Sequence, residues 1–191
     1  DWCRACDLCA SRERPTRTHR APLWTYNVGA PLERVAQDIL GPLPDSDRGN
    51  KYILIIGHYF SKWTEAYAIP NQEATTVARV LVEEFVARFG IPRQIHSDQG
   101  RNFESKVFQE MCNSLGMEMS RTTPLHPQSD GMVEHFNRTI EEMLSKFVAE
   151  NQRDWDGHLP ILMMAYRSLC SRNYLLYSVR VDVWAPDRPS D

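Results

Sequence analysis

Five consecutive residues, Tyr52-Ile-Leu-Ile-Ile56, set the terms for any fold this chain can adopt. The run is dense in β-branched side chains and offers no polar residue to turn toward water. It predicts a central strand covered on both faces. Strand text surrounds it. Val35 to Leu40 ends at Gly41-Pro42, a turn signal; Asp45 to Asn50 reads as a polar turn; Trp63 to Ile69 stops at Pro70. Three strands with short connections predict an antiparallel meander.

The hydrophobic period then changes. Val77, Val80, Leu81, Phe85 and Phe89 recur at helical spacing, and Gly90 to Pro92 closes the helix. Arg93 to Ser97 reads as a short strand, Phe103 to Leu115 as a helix stopped by Gly116, and Met117 to Arg121 as a last short strand. Thr122 to Gly131 carries two prolines and reads as a loop. A long helix follows, with Val133, Phe136, Ile140, Leu144 and Phe147 on one face. Another runs from about Trp155 to Ser168, bent at Pro160. The predicted class is α/β: a mixed five-stranded sheet, three antiparallel strands plus two shorter ones, layered with helices.

The 191 residues suffice for one domain with a core and short flanking pieces. No apolar run is long enough to span a bilayer. The formal charge of −3 gives no global attraction for nucleic acid, so any DNA contact must come from local patches. Five cysteines, three crowded at Cys3, Cys6 and Cys9 and two isolated at Cys112 and Cys170, do not form a disulfide framework. An intracellular, reducing location fits this pattern. Cys112 reads as a small buried hydrophobe. Residues 1–22 place Arg12, Arg14, Arg17 and Arg20 around a single Glu13. This is a linker, either a solvated loop or an arm that touches DNA. Opening on Asp1 rather than Met, the chain reads as a portion of something longer.

Three acids stand at unusual addresses. Asp38 lies inside the first strand, among Val35, Ala36, Ile39 and Leu40, where a charge is costly unless it is paired or binds a cation. Asp98 ends the short strand before Gln99-Gly100, at the carboxyl end where sites collect in α/β sheets. Glu134 opens the long helix, and Arg138 follows one turn later. Singly, each acid has an ordinary explanation: a turn residue, or a partner for the helix dipole. Jointly they sit inside distinctive words. These are Gln37-Asp38-Ile-Leu-Gly-Pro-Leu-Pro44, Phe60-Ser-Lys-Trp63, His96-Ser-Asp98-Gln-Gly-Arg-Asn-Phe103 and His126-Pro-Gln-Ser-Asp-Gly-Met-Val-Glu134-His-Phe-Asn-Arg138. Thirty-five residues separate Asp98 from Glu134.

With these words the chain resembles the integrase of gypsy-type LTR retrotransposons, kin to retroviral integrases, over roughly Cys6 to Ser168. That family carries two aspartates and a glutamate on an RNase H-like fold, the last two separated by thirty-five residues. The resemblance implies a catalytic and metal-binding triad of Asp38, Asp98 and Glu134. It implies two Mg²⁺ or Mn²⁺ ions, hard cations suited to carboxylate oxygen. It also implies trimming of the 3′ ends of the element's double-stranded DNA and their joining to target DNA, by a homo-oligomer in the nucleus. Gln128, Asn137 and Arg138 are the implied DNA contacts; Arg138 could equally pair with Glu134. Cys6 and Cys9 match the thiolate half of the family's zinc domain. Two further ligands are missing here, so no stable zinc is expected. His58 stands where relatives commonly carry Asp, outside the triad.

The resemblance implies three parts: residues 1–22 as a zinc-domain remnant and basic linker, 23–170 as the catalytic core, and 171–191 as a divergent tail. From Ser171 to Trp184 the family's Gly-Tyr-Thr-Pro and Phe-Gly-Arg words are absent. With suitably chosen codons, a one-base shift in reading frame restores Tyr-Thr-Pro and Phe-Gly-Arg there. The tail is therefore expected to be out of frame and not packed on the core. Two competing readings remain: a catalytically silent, domesticated or decaying nucleic-acid-binding relic, and a plain RNase H nuclease.

Overall fold

The Tyr52–Ile56 run becomes the second strand of a five-stranded sheet ordered β3-β2-β1-β4-β5. The structure is a computed structural model that describes residues 29–98, 100–121, 131–147 and 152–170. Its strands are β1 (Arg34–Leu40), β2 (Tyr52–His58), β3 (Thr64–Ile69), β4 (Gln94–Ser97) and β5 (Glu118–Arg121). The first three pair antiparallel, as the short connections predict, while β1–β4 and β4–β5 are parallel. Residues 74–89 form α1, whose middle portion, Leu81–Val86, widens into a π-helix. The other helices are α2 (Lys106–Ser114), α3 (Gly131–Phe147) and α4 (Trp155–Cys170).

Ile53, Leu54, Ile55 and Ile56 are all fully buried, because successive side chains point to opposite faces and helices cover both. Leu54 and Ile56 join Val35, Ile69 and Ile95 against Val77, Leu81 and Phe85 of α1 and Phe108 and Cys112 of α2. Ile53 and Ile55 join Ala36 and Leu40 against Phe136, Ile140 and Leu144 of α3 and Trp155, Leu159 and Leu162 of α4. Cys112 is buried as expected, and burial pushes its thiol up to about 11.

Two helices differ from their sequence-based bounds. α1 begins at Ala74, a turn earlier than the apolar period suggests, since its first turn is polar and solvated. α2 begins at Lys106 rather than near Phe103, because the Ser105 side chain accepts the Phe108 N–H and fixes the helix start there. α4 continues through Pro160, which lies early in the helix. Residues 1–28, 99, 122–130, 148–151 and 171–191 lie outside the described residues, and with them Cys3, Cys6, Cys9, Gln128 and the expected divergent tail. No helix among the described residues is long and apolar enough to cross a membrane.

Polar anchors attach α4 at both ends. At its start, Trp155 Nε1 donates to Pro44 O at 2.7 Å. Asp156 Oδ2 accepts from Ser46 Oγ and Asn50 Nδ2, each at 2.8 Å, so the polar turn is held against the helix. Near its end, Arg167 Nη1 donates to Glu65 Oε1 at 2.9 Å and stacks 4.9 Å over the Trp63 ring, while Trp63 Nε1 donates to the same Oε1 at 2.6 Å. Glu65 is almost fully buried, so removing the guanidinium would strand its charge. Arg167→Met should therefore lower stability by about 3 kcal/mol, toward the low end for a broken buried pair because Arg167 is partly exposed. Chemical denaturation measures this, and a loss below ~1 kcal/mol would mean the clamp contributes no more than a surface pair.

His58 closes the β2–β3 turn. Its Nε2 accepts the Leu32 N–H at 2.7 Å, and its Nδ1 accepts the Ser61 N–H at 3.2 Å and lies 2.6 Å from Ser61 Oγ, partners that suit a neutral ring. Burial, reinforced by the nearby Lys62 ammonium, lowers its pKa from 6.5 to about 4. The folded state thus favours neutral His58. Its contribution is fully present above pH 6.5 and is lost as the pH falls from 6.5 toward 4. The full loss is about 3 kcal/mol. Denaturant midpoints followed from neutral pH to about 4.5 should fall more steeply for the wild type than for His58→Asn; parallel curves would assign the acid sensitivity to other groups.

Candidate active site

The parallel pairing of β1 with β4 places the first two acids. Its register runs Arg34↔Gln94, Val35↔Ile95, Ala36↔His96. Continued by two residues, it brings Asp38 level with Asp98. Strand alternation puts both on the face that carries Ala36 and His96. Each carboxylate is fixed by a short-range donor. Asp38 Oδ1 accepts the Ile39 N–H at 2.8 Å, and Asp98 Oδ1 accepts the Gly100 N–H at 3.0 Å. Both acids line a cleft of about 490 Å³, whose other walls include Ile39, Glu73 and Ala74 at the start of α1 and Asn102 and Phe103 after β4. Asp98 is exposed there and Asp38 half-buried.

α3 closes the site from the other side. Asn137 Nδ2 donates to Asp38 Oδ2 at 2.6 Å, while Asn137 Oδ1 is buried without a partner among the described residues. Glu134 belongs to the first turn of α3, three residues before Asn137, but its side chain is not among those described. Helical spacing puts positions 134 and 137 on one face, a turn apart. Arg138 is exposed on the same helix. Asn137, expected from resemblance as a DNA contact, also holds Asp38; its offset of three from Glu134 was the available signal for that bond. Glu73 escaped sequence reasoning because nothing local marks a residue that reaches the cleft only through the tertiary fold, and Asn102 was read only as part of the word around Asp98.

Among the described residues no group of three or more His, Cys, Asp or Glu side chains is placed to hold a metal. The two carboxylates that line the cleft are nonetheless hard oxygen donors, which suit Mg²⁺ or Mn²⁺ better than zinc.

The sequence model described as "Integrase core domain" matches residues 30–127, just over half of the chain. The chain belongs to the integrase core domain family. The matched segment contains Asp38 and Asp98 and ends before Glu134. This integrase core is 38% identical over 125 residues to the Gag-Pol polyprotein of woolly monkey sarcoma virus, a match spanning 65% of the chain and 7% of that polyprotein. It is 29% identical over 150 residues to the retrovirus-related Pol polyprotein from transposon 412 of Drosophila melanogaster, spanning 78% of the chain and 12% of the relative. The chain therefore corresponds to a small part of the curated relatives it matches. Among solved structures, it resembles a chain of the simian T-cell lymphotropic virus intasome in complex with PP2A regulatory subunit B56 gamma. The TM-score is 0.68 at 19% identity, over 97% of this chain and 68% of that one. It also resembles the HTLV-2 integrase catalytic core domain in complex with magnesium, with TM-score 0.60 at 18% identity, over 75% and 90% of the two chains. At these identities the likeness shows the fold, the RNase H-like mixed sheet expected from the sequence.

Gly100 is the tightest point of the site. A Cβ there would lie 2.7 Å from Asn102 Oδ1 and 3.0 Å from Asp98 Oδ1. Gly100→Ala must therefore displace the Asn102 side chain and crowd the Asp98 carboxylate. The expected cost is about 2 kcal/mol, or roughly 6 °C in Tm. An unchanged melting curve would show that the loop yields freely and that Asp98 is not tightly held.

Proposed function

We propose that this integrase core is a metal-dependent polynucleotidyl transferase that trims the 3′ ends of element DNA and joins them to target DNA. The observation that carries the reading is the level placement of Asp38 and Asp98 on adjacent parallel strands at one cleft, with α3 bonded to Asp38 through Asn137. Position 134 then lies one turn along α3, as the third member of an Asp38, Asp98, Glu134 set. Divalent cations bound by these carboxylates would supply charge stabilisation at the attacking and leaving oxygens of a phosphodiester.

The protein's own contribution is orientation. The Ile39 and Asn137 donors hold Asp38 from two directions, and the Gly100 N–H holds Asp98, so neither carboxylate needs to reorganise during reaction. In trimming, a water oxygen forms the new bond to phosphorus and the 3′ oxygen of the retained strand leaves as the hydroxyl. In joining, that 3′ hydroxyl forms the bond and a target-strand 3′ oxygen leaves. Neither step requires a covalent enzyme intermediate. With a chain charge of −3, the DNA backbone must meet local cations, for which Arg138 is assigned, with Gln128 at the element end. The partner is double-stranded DNA, the working form a homo-oligomer, and the compartment the nucleus.

A strand-joining assay tests this reading, using short duplex ends, a target duplex and Mg²⁺ or Mn²⁺. Wild-type protein should join strands. Asp38→Asn and Asp98→Asn should each reduce joining more than about 100-fold with the circular dichroism spectrum unchanged. Cleavage of RNA–DNA hybrids without joining would make the chain a nuclease, and no reaction with either substrate would make it a silent relic.

A further inference from the structure

Gln37 stands where an aliphatic side chain would suit the fold better. It is 2% exposed, and both Oε1 and Nε2 are buried without a hydrogen-bond partner among the described residues. Alternation along β1 sends Val35, Gln37 and Ile39 to the α1/α2 face, opposite Asp38. The cluster that covers this face, including Val35, Leu54, Ile56 and Ile95, is hydrophobic, and Ser97 is the polar neighbour. An amide stranded in such a place is destabilising, and strand formation does not ask for it.

The neighbouring strand repeats the arrangement. Extending the β1–β4 register by one residue sets Ser97 beside Gln37, on the same face. Ser97 is also 2% exposed, and its Oγ donates to Asp98 O at 3.1 Å. Each acid of the cleft is thus immediately preceded by a buried polar side chain on the opposite face of the sheet. These two side chains are neighbours across the parallel strand pair.

We propose that Gln37 is a positioning residue for the acid pair: in the cation-loaded state its carboxamide bonds across the strands to the Ser97 hydroxyl and fixes the separation of Asp38 and Asp98. The proposal rests on the integrase reading above. A cation held by Asp38 and Asp98 would draw the ends of β1 and β4 together at this level. A rotation about the Ser97 side-chain bond then redirects its hydroxyl from the Asp98 carbonyl to Gln37 Oε1. A bond made only in the loaded state must strengthen cation binding by the factor with which the cation favours the bond. In the cation-free state the amide remains a liability. The two states therefore respond with opposite sign to loss of the amide, which a merely structural residue would not show.

Thermal melts of the full chain, titrated with Mn²⁺ alone, test this. Gln37→Met, close in volume, should raise the metal-free Tm by about 3–6 °C. It should also weaken the apparent Mn²⁺ affinity, read from Tm against concentration, by about 10-fold. Ser97→Ala should weaken the affinity similarly, and the double variant no further than either single one. A raised Tm with wild-type Mn²⁺ affinity, a lowered metal-free Tm, or additive losses in the double variant would each overturn the proposal. If Gln37→Met does not fold, Ser97→Ala decides alone: unchanged affinity overturns the assignment. A wild type that ignores Mn²⁺ would sink the integrase reading itself, an outcome distinct from a responsive wild type matched by a responsive Gln37→Met.

Discussion

Parallel pairing of β1 with β4, at the middle of a sheet whose first three strands run antiparallel, carries the rest of the arrangement. Antiparallel neighbours would place the carboxyl end of one strand beside the amino end of the next, and an acid ending each would lie at opposite rims. The parallel pair instead brings two carboxyl ends to one rim. Like charges placed level on adjacent strands repel, so the fold accepts an unfavourable contact there and compensates elsewhere. Compensation comes from the N–H of Ile39, the N–H of Gly100 and the amide of Asn137, each aimed at a carboxylate oxygen.

Most of the sheet was legible in the sequence because its signals are local. The run Tyr52–Ile56 identifies its own double burial, and Gly41-Pro42 and Pro70 mark where strands stop. Gly100, Asp98 and Asp38 announce themselves through their neighbours in the chain. What could not be read depends on distant partners. The strand order, which slots β1 between β2 and β4, follows from the β3–α1–β4 connection and not from any residue within β1. The Arg167–Glu65–Trp63 clamp joins residues far apart in sequence whose types are individually unremarked. The bond from Asn137 to Asp38 was also out of reach, because resemblance supplies a position and only the fold supplies its contact. The π-turn within α1 likewise leaves no trace in a spacing of apolar residues that also suits an α-helix.

Among the described residues, buried polar groups are met unequally. Several away from the cleft are answered: Asp156 by Ser46 and Asn50, Glu65 by Arg167 and Trp63, His58 by Leu32 and Ser61. Beside the acids, the Asn137 carbonyl oxygen and both ends of the Gln37 carboxamide lack answers among the described residues. Native interiors tolerate few such groups, and where they cluster, local stability has been traded against another requirement.

The β1–β4 pairing also orders events in time. β1, β2 and β3 pair between neighbours along residues 34–69, contacts that close small loops and form readily. Joining Arg34 to Gln94 requires the whole of β3 and α1 to be traversed first. Asp38 and Asp98 therefore become neighbours only through the least local strand pairing of the sheet. A fluctuation that peels β4 and β5 from the sheet could separate them while leaving the three-stranded meander paired. The chemistry-bearing rim would then come apart before the scaffold does, and loss of the acid pair would precede loss of the fold.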